Sequence, residues 1–152
     1  MKLHVLEASM VVPLPIEQVF PFFAAAENLQ RITPPSLRFS ILSPLPVDMR
    51  RGALIDYRLR LMGIPFGWKT EITTWDPPRE FVDEQLKGPY RVWRHRHRFR
   101  TVAGGTGIED RVEYALPFGP LGLVALPLVK RQLRAIFAHR QRVVAQLLME
   151  GS

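Results

Sequence analysis

Gly88-Pro89-Tyr90-Arg91-Val92-Trp93-Arg94-His95-Arg96-His97-Arg98-Phe99-Arg100 is the stretch around which the chain reads. From Val92 onward two kinds of residue alternate. Trp93, His95, His97 and Phe99 form one row, and Val92, Arg94, Arg96, Arg98 and Arg100 form the other. Successive side chains of a strand point to opposite faces, so the segment is a strand with two chemically distinct sides. Four arginines in a row need water or acidic partners, which leaves the aromatic and histidine row to face inward. An interior lined by imidazoles is partly polar, and it suggests a lined cavity rather than a dry core.

The segments around it have the same texture. Ala53–Met62 carries Ile55, Tyr57, Leu59 and Leu61 on one parity and Asp56, Arg58 and Arg60 on the other. Phe66–Trp75 sets Trp68, Thr70, Ile72 and Thr74 against Lys69, Glu71 and Thr73. Glu80–Leu86 and Ile108–Leu116 complete the run. Turns are expected at Gly63-Ile64-Pro65, Asp76-Pro77-Pro78, Lys87-Gly88-Pro89 and Gly104-Gly105-Thr106-Gly107. Turns about every ten residues describe an antiparallel meander. The Gly104–Gly107 run lies between strands, without the helix N-terminus that a phosphate cradle needs.

Upstream, residues 2–12 read as a first strand. Ile16, Val19, Phe20 and Phe23 recur at helical spacing after Pro15, and Pro21 is expected to break or bend that helix. A second short helix is expected over about Ala24–Arg31, and a strand over Leu37–Leu42. Downstream, Leu126, Val129, Leu133, Ile136, Phe137, Arg140, Val144, Leu147 and Leu148 trace one face of a long helix from about Leu121 to Met149. Pro127 is expected to kink it or to mark the start of its main part. Leu121–Leu128 is apolar on all sides and is expected to be buried. The alternative is a mobile gate or a membrane-touching patch.

Composition narrows the function. The 152 residues fit one domain, and 47% hydrophobic content is ample for a core. No apolar run is long enough to span a bilayer, and the N-terminus lacks the pattern of a signal peptide, so a cytoplasmic location is expected. The absence of cysteine excludes disulfides, thiolate catalysis and cysteine-ligated metal centres. The net charge of +7 rests on seventeen arginines against four lysines. These interleave with acids such as Glu80, Glu84, Glu109 and Glu113, which favours an ion-paired solvent face over a nucleic-acid surface.

The order of strand, two short helices, six strands and long C-terminal helix resembles the START-like helix-grip (SRPBCC) superfamily. Val12-Pro13-Leu14-Pro15-Ile16-Glu17-Gln18-Val19-Phe20, Ile72-Thr73-Thr74-Trp75-Asp76-Pro77-Pro78 and the Trp93–Phe99 strand carry the likeness, the first in the manner of the polyketide cyclase/dehydrase-like branch. The resemblance implies an α+β fold, with a curved antiparallel sheet of six to seven strands wrapped around the long helix. One START-like ligand-binding domain would then span residues 1–152. It further implies a cavity between sheet and helix for a lipid, quinone, polyketide-like or other hydrophobic molecule. It carries over no fixed catalytic residues.

On that architecture the inward parity gives the candidate ligand-binding residues. They are Tyr57, Leu59, Trp68, Phe81, Asp83, Gln85, Trp93, His95, His97, Phe99, Asp110, Tyr114 and, from the helix, Phe137. Leu45–Arg51 and Gly63–Phe66 are expected to rim the mouth. The outward residues Glu109, Arg111 and Glu113 are placed to pair with Arg94, Arg96 and Arg98. Asp83 and Asp110 can hold the two histidines in a structural network, and the same groups can orient the polar end of a ligand. A cyclase or dehydratase using His95 or His97 as acid/base, with Asp83 and Asp110, is the enzymatic alternative. Two histidines at i, i+2 beside a carboxylate also have the spacing of a zinc site, but no metal and no cofactor is expected. The partner expected is a hydrophobic small molecule, not nucleic acid, with peripheral membrane contact left open. A module docking an acidic partner or a membrane through its arginine face is the remaining alternative.

Overall fold

The computed structural model describes residues 2–150; Met1, Gly151 and Ser152, at the ends of the expected 1–152 domain, lie outside the described residues. In chain order the elements are β1 (His4–Val12), α1 (Ile16–Ala24), α2 (Glu27–Ile32), a 3-10 turn (Pro35–Leu37), β2 (Ser40–Ile41), β3 (Leu54–Leu61), β4 (Ile64–Asp76), β5 (Glu80–Lys87), β6 (Val92–Val102), β7 (Gly105–Ala115) and α3 (Pro120–Glu150). The strands form one antiparallel sheet of seven in the order β1-β7-β6-β5-β4-β3-β2. This is an α+β helix-grip-like fold, with the short helices following β1 and the long helix last.

Side-chain parity decides which face of the sheet is covered. On β3, Ile55, Tyr57, Leu59 and Leu61 are buried, while Leu54, Asp56, Arg58 and Arg60 face solvent. On β6, His95, His97 and Phe99 are buried, and Arg98 and Arg100 are exposed. On α3, Val129, Leu133, Phe137, Arg140, Val144 and Leu148 are buried at helical spacing. These two faces, with Val19, Phe20 and Phe23 of α1, enclose the core.

Several local expectations are corrected. Pro21 sits inside α1 without breaking it, and Pro127 sits inside α3, which runs unbroken from Pro120. A helical proline deprives the carbonyl four residues earlier of its donor. Here those carbonyls belong to Glu17 and Leu123, both exposed residues, where water can take the place of the missing N–H. The strand expected over Leu37–Leu42 shrinks to two residues. Its start is taken by the 3-10 turn, and Arg38 adopts a left-handed conformation (φ 48°). The β3–β4 turn is the two-residue pair Met62-Gly63, both at positive φ, and Ile64-Pro65 already belong to β4. The β6–β7 turn is likewise Ala103-Gly104, since Val102 pairs with Gly105 and Thr106-Gly107 lie in the ladder.

Gly105 has a steric reason. Its φ is +150°, and a Cβ there would lie 1.9 Å from the Val12 carbonyl oxygen. The close approach lets β1 end against β7, where the buried Thr106 hydroxyl donates to the Leu14 carbonyl at 2.7 Å. That bond fixes the chain's exit from β1 into α1.

The largest departure from expectation is Leu121–Leu128. Leu121, Leu123, Val124 and Leu128 are all exposed, with Phe118 just ahead of them. Leu126 and Val129 occupy the face of α3 that meets the core, and the remaining apolar side chains of this segment point away from it.

Candidate functional site

A cavity of about 160 Å³ lies between the sheet and α3. Its walls come from β3 to β6, with Leu133, Ile136, Phe137 and Arg140 of α3 opposite. The α1–α2 region (Phe22, Phe23, Ala26, Leu29, Ile32) closes a further side. A dry apolar cavity of roughly 150 Å³ accepts a benzene-sized guest, so the space as it stands suits a compact ring system.

One part of the lining is aromatic. Tyr57 stacks with Trp68 at 5.7 Å, and Trp93 meets Trp68 edge-on at 5.3 Å. Tyr90 packs against Trp93 at 4.8 Å. Tyr90 owes its position to Gln85, whose side-chain amide donates to the Tyr90 carbonyl at 2.6 Å and whose side-chain oxygen accepts from the Tyr90 N–H at 3.1 Å. The indole N–H of Trp68 is buried without a hydrogen-bond partner. Burial pushes the Tyr57 hydroxyl well above its ordinary pKa, helped by the charge of Asp83, and burial raises Tyr90 as well. Both phenols are therefore neutral donors at neutral pH.

The other part is polar. Antiparallel pairing sets Asp83 of β5 opposite His95 and Asp110 of β7 opposite His97. The hydrogen bonds run on the diagonals. His97 Nε2 lies 2.6 Å from Asp83 Oδ2, and His95 Nε2 lies 2.7 Å from Asp110 Oδ1. The two imidazoles stack 3.6 Å apart, and Phe81 stacks on His97 at 4.1 Å. Arg140 enters from α3, with Nη2 3.3 Å from His97 Nδ1 and 3.6 Å from Asp110 Oδ1.

This geometry assigns protons. His97 Nδ1 faces a guanidinium, which can only donate, so Nδ1 accepts and Nε2–H is given to Asp83. His97 is thus neutral. Burial, followed by the charge of His95, lowers its pKa to about 4 despite the carboxylate of Asp83. Burial pushes the carboxyl of Asp110 up, but Arg140 and the hydrogen bond from His95 together hold it well below the usual carboxylate range. Asp83 is also lowered, its burial outweighed by the hydrogen bond from His97 and the nearby cationic charge. The cluster holds two carboxylates against one permanent cation, and every member is hydrogen-bonded.

Asp83, His95 and His97 bring one potential ligand atom each within 4.8 Å of one another. A cation there would have to break the His97–Asp83 bond. It would also turn His97 Nδ1 into a donor facing the guanidinium of Arg140. The donor set fits a metal by residue type, but Arg140 opposes it by charge.

Of the residues expected to contact a ligand, Tyr57, Leu59, Trp68, Phe81, Asp83, Trp93, His95, His97 and Phe137 line the cavity. Gln85, Phe99, Asp110 and Tyr114 stand outside its lining. Gln85 is engaged by the Tyr90 backbone, and Phe99 packs among Phe20, Phe23 and Phe81. Asp110 lies behind the histidines, and Tyr114 packs on His4, Tyr90 and Trp93. Met49 reaches the cavity from the expected rim Leu45–Arg51, whereas Gly63–Phe66 does not. The reading of the sequence missed Tyr90, hidden in a turn, and the role of Arg140. The visible signal for Arg140 was a charged residue on the apolar stripe of α3.

The arginine row on the outer face meets acids of its own sheet. Arg94 pairs with Glu113 at 3.2 Å, Arg98 with Glu80 at 3.2 Å and Arg100 with Glu109 at 3.1 Å. Arg111 pairs with Glu7. No helix among the described residues is long and apolar enough to cross a membrane.

No curated protein matches the chain in sequence. Solved structures match over nearly its whole length. TTHA0849 from Thermus thermophilus has a TM-score of 0.79 at 15% identity, covering 98% of this chain and 99% of that one. A START superfamily protein from Mycobacterium smegmatis has a TM-score of 0.72 at 12% identity, covering 98% and 99%. Ginseng major latex-like protein 151 from Panax ginseng has a TM-score of 0.65 at 10% identity, covering 95% and 96%. At such identities the likeness shows the fold. The family model described as polyketide cyclase / dehydrase and lipid transport matches residues 12–140, from the end of β1 to Arg140. The chain belongs to this family.

Proposed function

We propose that the protein binds a compact hydrophobic or aromatic molecule in the cavity between its sheet and α3. The ligand's polar end would meet Asp83, His95, His97 and Arg140. The observation that carries this reading is a cavity whose walls divide into an aromatic part and a polar part in which each residue has a hydrogen bond within the cluster. Small-molecule sites are commonly built that way, apolar for affinity and sparsely polar for orientation. The unpartnered Trp68 N–H supports it, because a buried orphan donor costs about 1–3 kcal/mol and a ligand acceptor could satisfy it. The arginine face, matched by its own carboxylates, gives less support to docking of an acidic partner.

The test is native mass spectrometry of the purified protein, followed by organic extraction and a thermal-shift screen of compact aromatic, quinone and polyketide-like compounds. A bound or stabilising compound is expected, and Leu133→Trp, which fills the cavity from α3, should abolish the effect while the protein remains folded. A protein that is empty and insensitive to the whole panel would sink the reading.

A second reading is favoured by one detail. His95 lines the cavity and is backed by the Asp110 carboxylate at 2.7 Å, an arrangement that fixes an imidazole for proton transfer. Turnover of a bound polyketide-like compound that is lost in His95→Gln, with binding retained, would distinguish catalysis from carriage.

A further inference from the structure

We infer that the N-terminal third of α3, with the loop before it, is a docking site for an anionic lipid surface. This inference is independent of what the cavity holds. Leu121, Val124 and Leu128 fall on one face of the helix at i, i+3 and i+7, and Phe118 precedes them. All four are more than half exposed, at 75%, 79%, 59% and 79% respectively. A contiguous apolar patch of this kind on the surface marks a contact site.

Phe118 adds a second, independent observation. It is bulky, it sits at φ 70°, and its side chain is in solvent. A left-handed conformation is costly for such a residue, and no buried contact of the ring offsets it here. Strain of this kind points toward a role outside the chain's own packing.

Charge selects the occupant. No aspartate or glutamate occurs from Tyr114 to Met149. Directly after the apolar patch come Lys130, Arg131 and Arg134, all exposed. Lys2 belongs to the same field: after burial, Lys130 and Lys2 are what lower the pKa of His4. Two copies meeting through this surface would bring unneutralised positive charges together. An anionic bilayer offers hydrocarbon for the apolar side chains and headgroups for the cations.

The experiment is vesicle co-sedimentation of the full chain, comparing equal-part phosphatidylglycerol and phosphatidylcholine with phosphatidylcholine alone, at low and high ionic strength. Binding to the anionic vesicles is expected, weakened by salt. Neutralising Lys130, Arg131 and Arg134 to Gln should lower the partition about fivefold per charge, roughly 100-fold together. Leu121→Ser with Val124→Ser should lower it by about tenfold or more per side chain without changing the thermal melt, since both residues are exposed. Three outcomes would overturn the inference. One is no binding, or equal binding to neutral vesicles. Another is full binding by the Leu121→Ser/Val124→Ser variant. The last is a wild-type dimer in light scattering that this variant converts to monomer, which would assign the patch to a second copy.

Discussion

Replacing Arg140 with Met tests the reading of the polar cluster most directly. Methionine keeps an unbranched stem in the core and removes the guanidinium, with its charge and its hydrogen bond to His97. The guanidinium is nearly inaccessible, with Arg140 at 8% exposure, and its Nη2 stands 3.6 Å from Asp110 Oδ1. At an effective dielectric of ~20, unit charges at that separation attract by about 5 kcal/mol. Relief of the guanidinium's own desolvation offsets part of the loss. Stranding a buried carboxylate typically leaves a deficit of about 3–5 kcal/mol, or roughly 10 °C in melting temperature for a chain of this size. The deficit should depend on pH. In the native protein Asp110 titrates below its unfolded-state value, so its contribution is complete above about pH 4. Without Arg140, burial raises that carboxyl above its unfolded-state value, and the deficit shrinks as pH falls through the raised value toward about 4. Urea unfolding at several pH values measures both quantities. Adding Asp110→Asn should recover much of the loss at pH 7. A deficit under about 1 kcal/mol, or one that is the same at pH 7 and pH 4.5, would refute the network as described.

Two further outcomes follow from the same structure. His97 is held neutral with its pKa lowered to about 4, against about 6.5 unfolded, so unfolding takes up a proton between those values. Stability should therefore fall by up to about 3 kcal/mol as pH drops from 6.5 to 4, and His97→Gln should flatten that part of the profile; an unchanged profile would contradict the assignment. Gly105→Ala should destabilise by about 3 kcal/mol or more in a thermal melt, because its Cβ would collide with the Val12 carbonyl at 1.9 Å, whereas Gly104→Ala, in open space, should cost only its backbone strain at φ +86°.

The sheet was legible because strand parity is a strict rule. Once Arg94, Arg96, Arg98 and Arg100 were assigned to solvent, His95 and His97 had to face inward, and the same parity placed Asp83 and Asp110 on the histidines' side. Arg140 was visible on the helical stripe, but its contact with His97 was not. That contact joins residues 43 positions apart and depends on where α3 crosses the sheet. Tyr90 was hidden because turn residues have no parity; the Gln85 side chain, not a strand, sets its direction. Leu121–Leu128 misled because composition gives hydrophobicity but not the presence of a covering surface. The prolines left both helices continuous, since the rule against them weakens where water can reach the carbonyl four residues earlier.

The shortness of β2 has a kinetic meaning. Seven strands share the sheet, but β2 contributes two residues at its edge, paired as Ser40–Arg58 and Ile41–Tyr57, with the Leu42 and Ser43 N–H groups after it donating to the Asp56 carbonyl. The 3-10 turn before it supplies Leu37, and the segment between them supplies Phe39; both line the cavity. Opening this corner breaks few backbone hydrogen bonds, whereas separating β6 from β7 breaks a ladder eleven pairs long. Regions with so thin a ladder open with free energies far below that of global unfolding. Amide exchange at Phe39–Ile41 should then run ahead of exchange at Arg94–Phe99 by orders of magnitude. A guest molecule could come and go on that faster clock while the rest of the sheet stays closed.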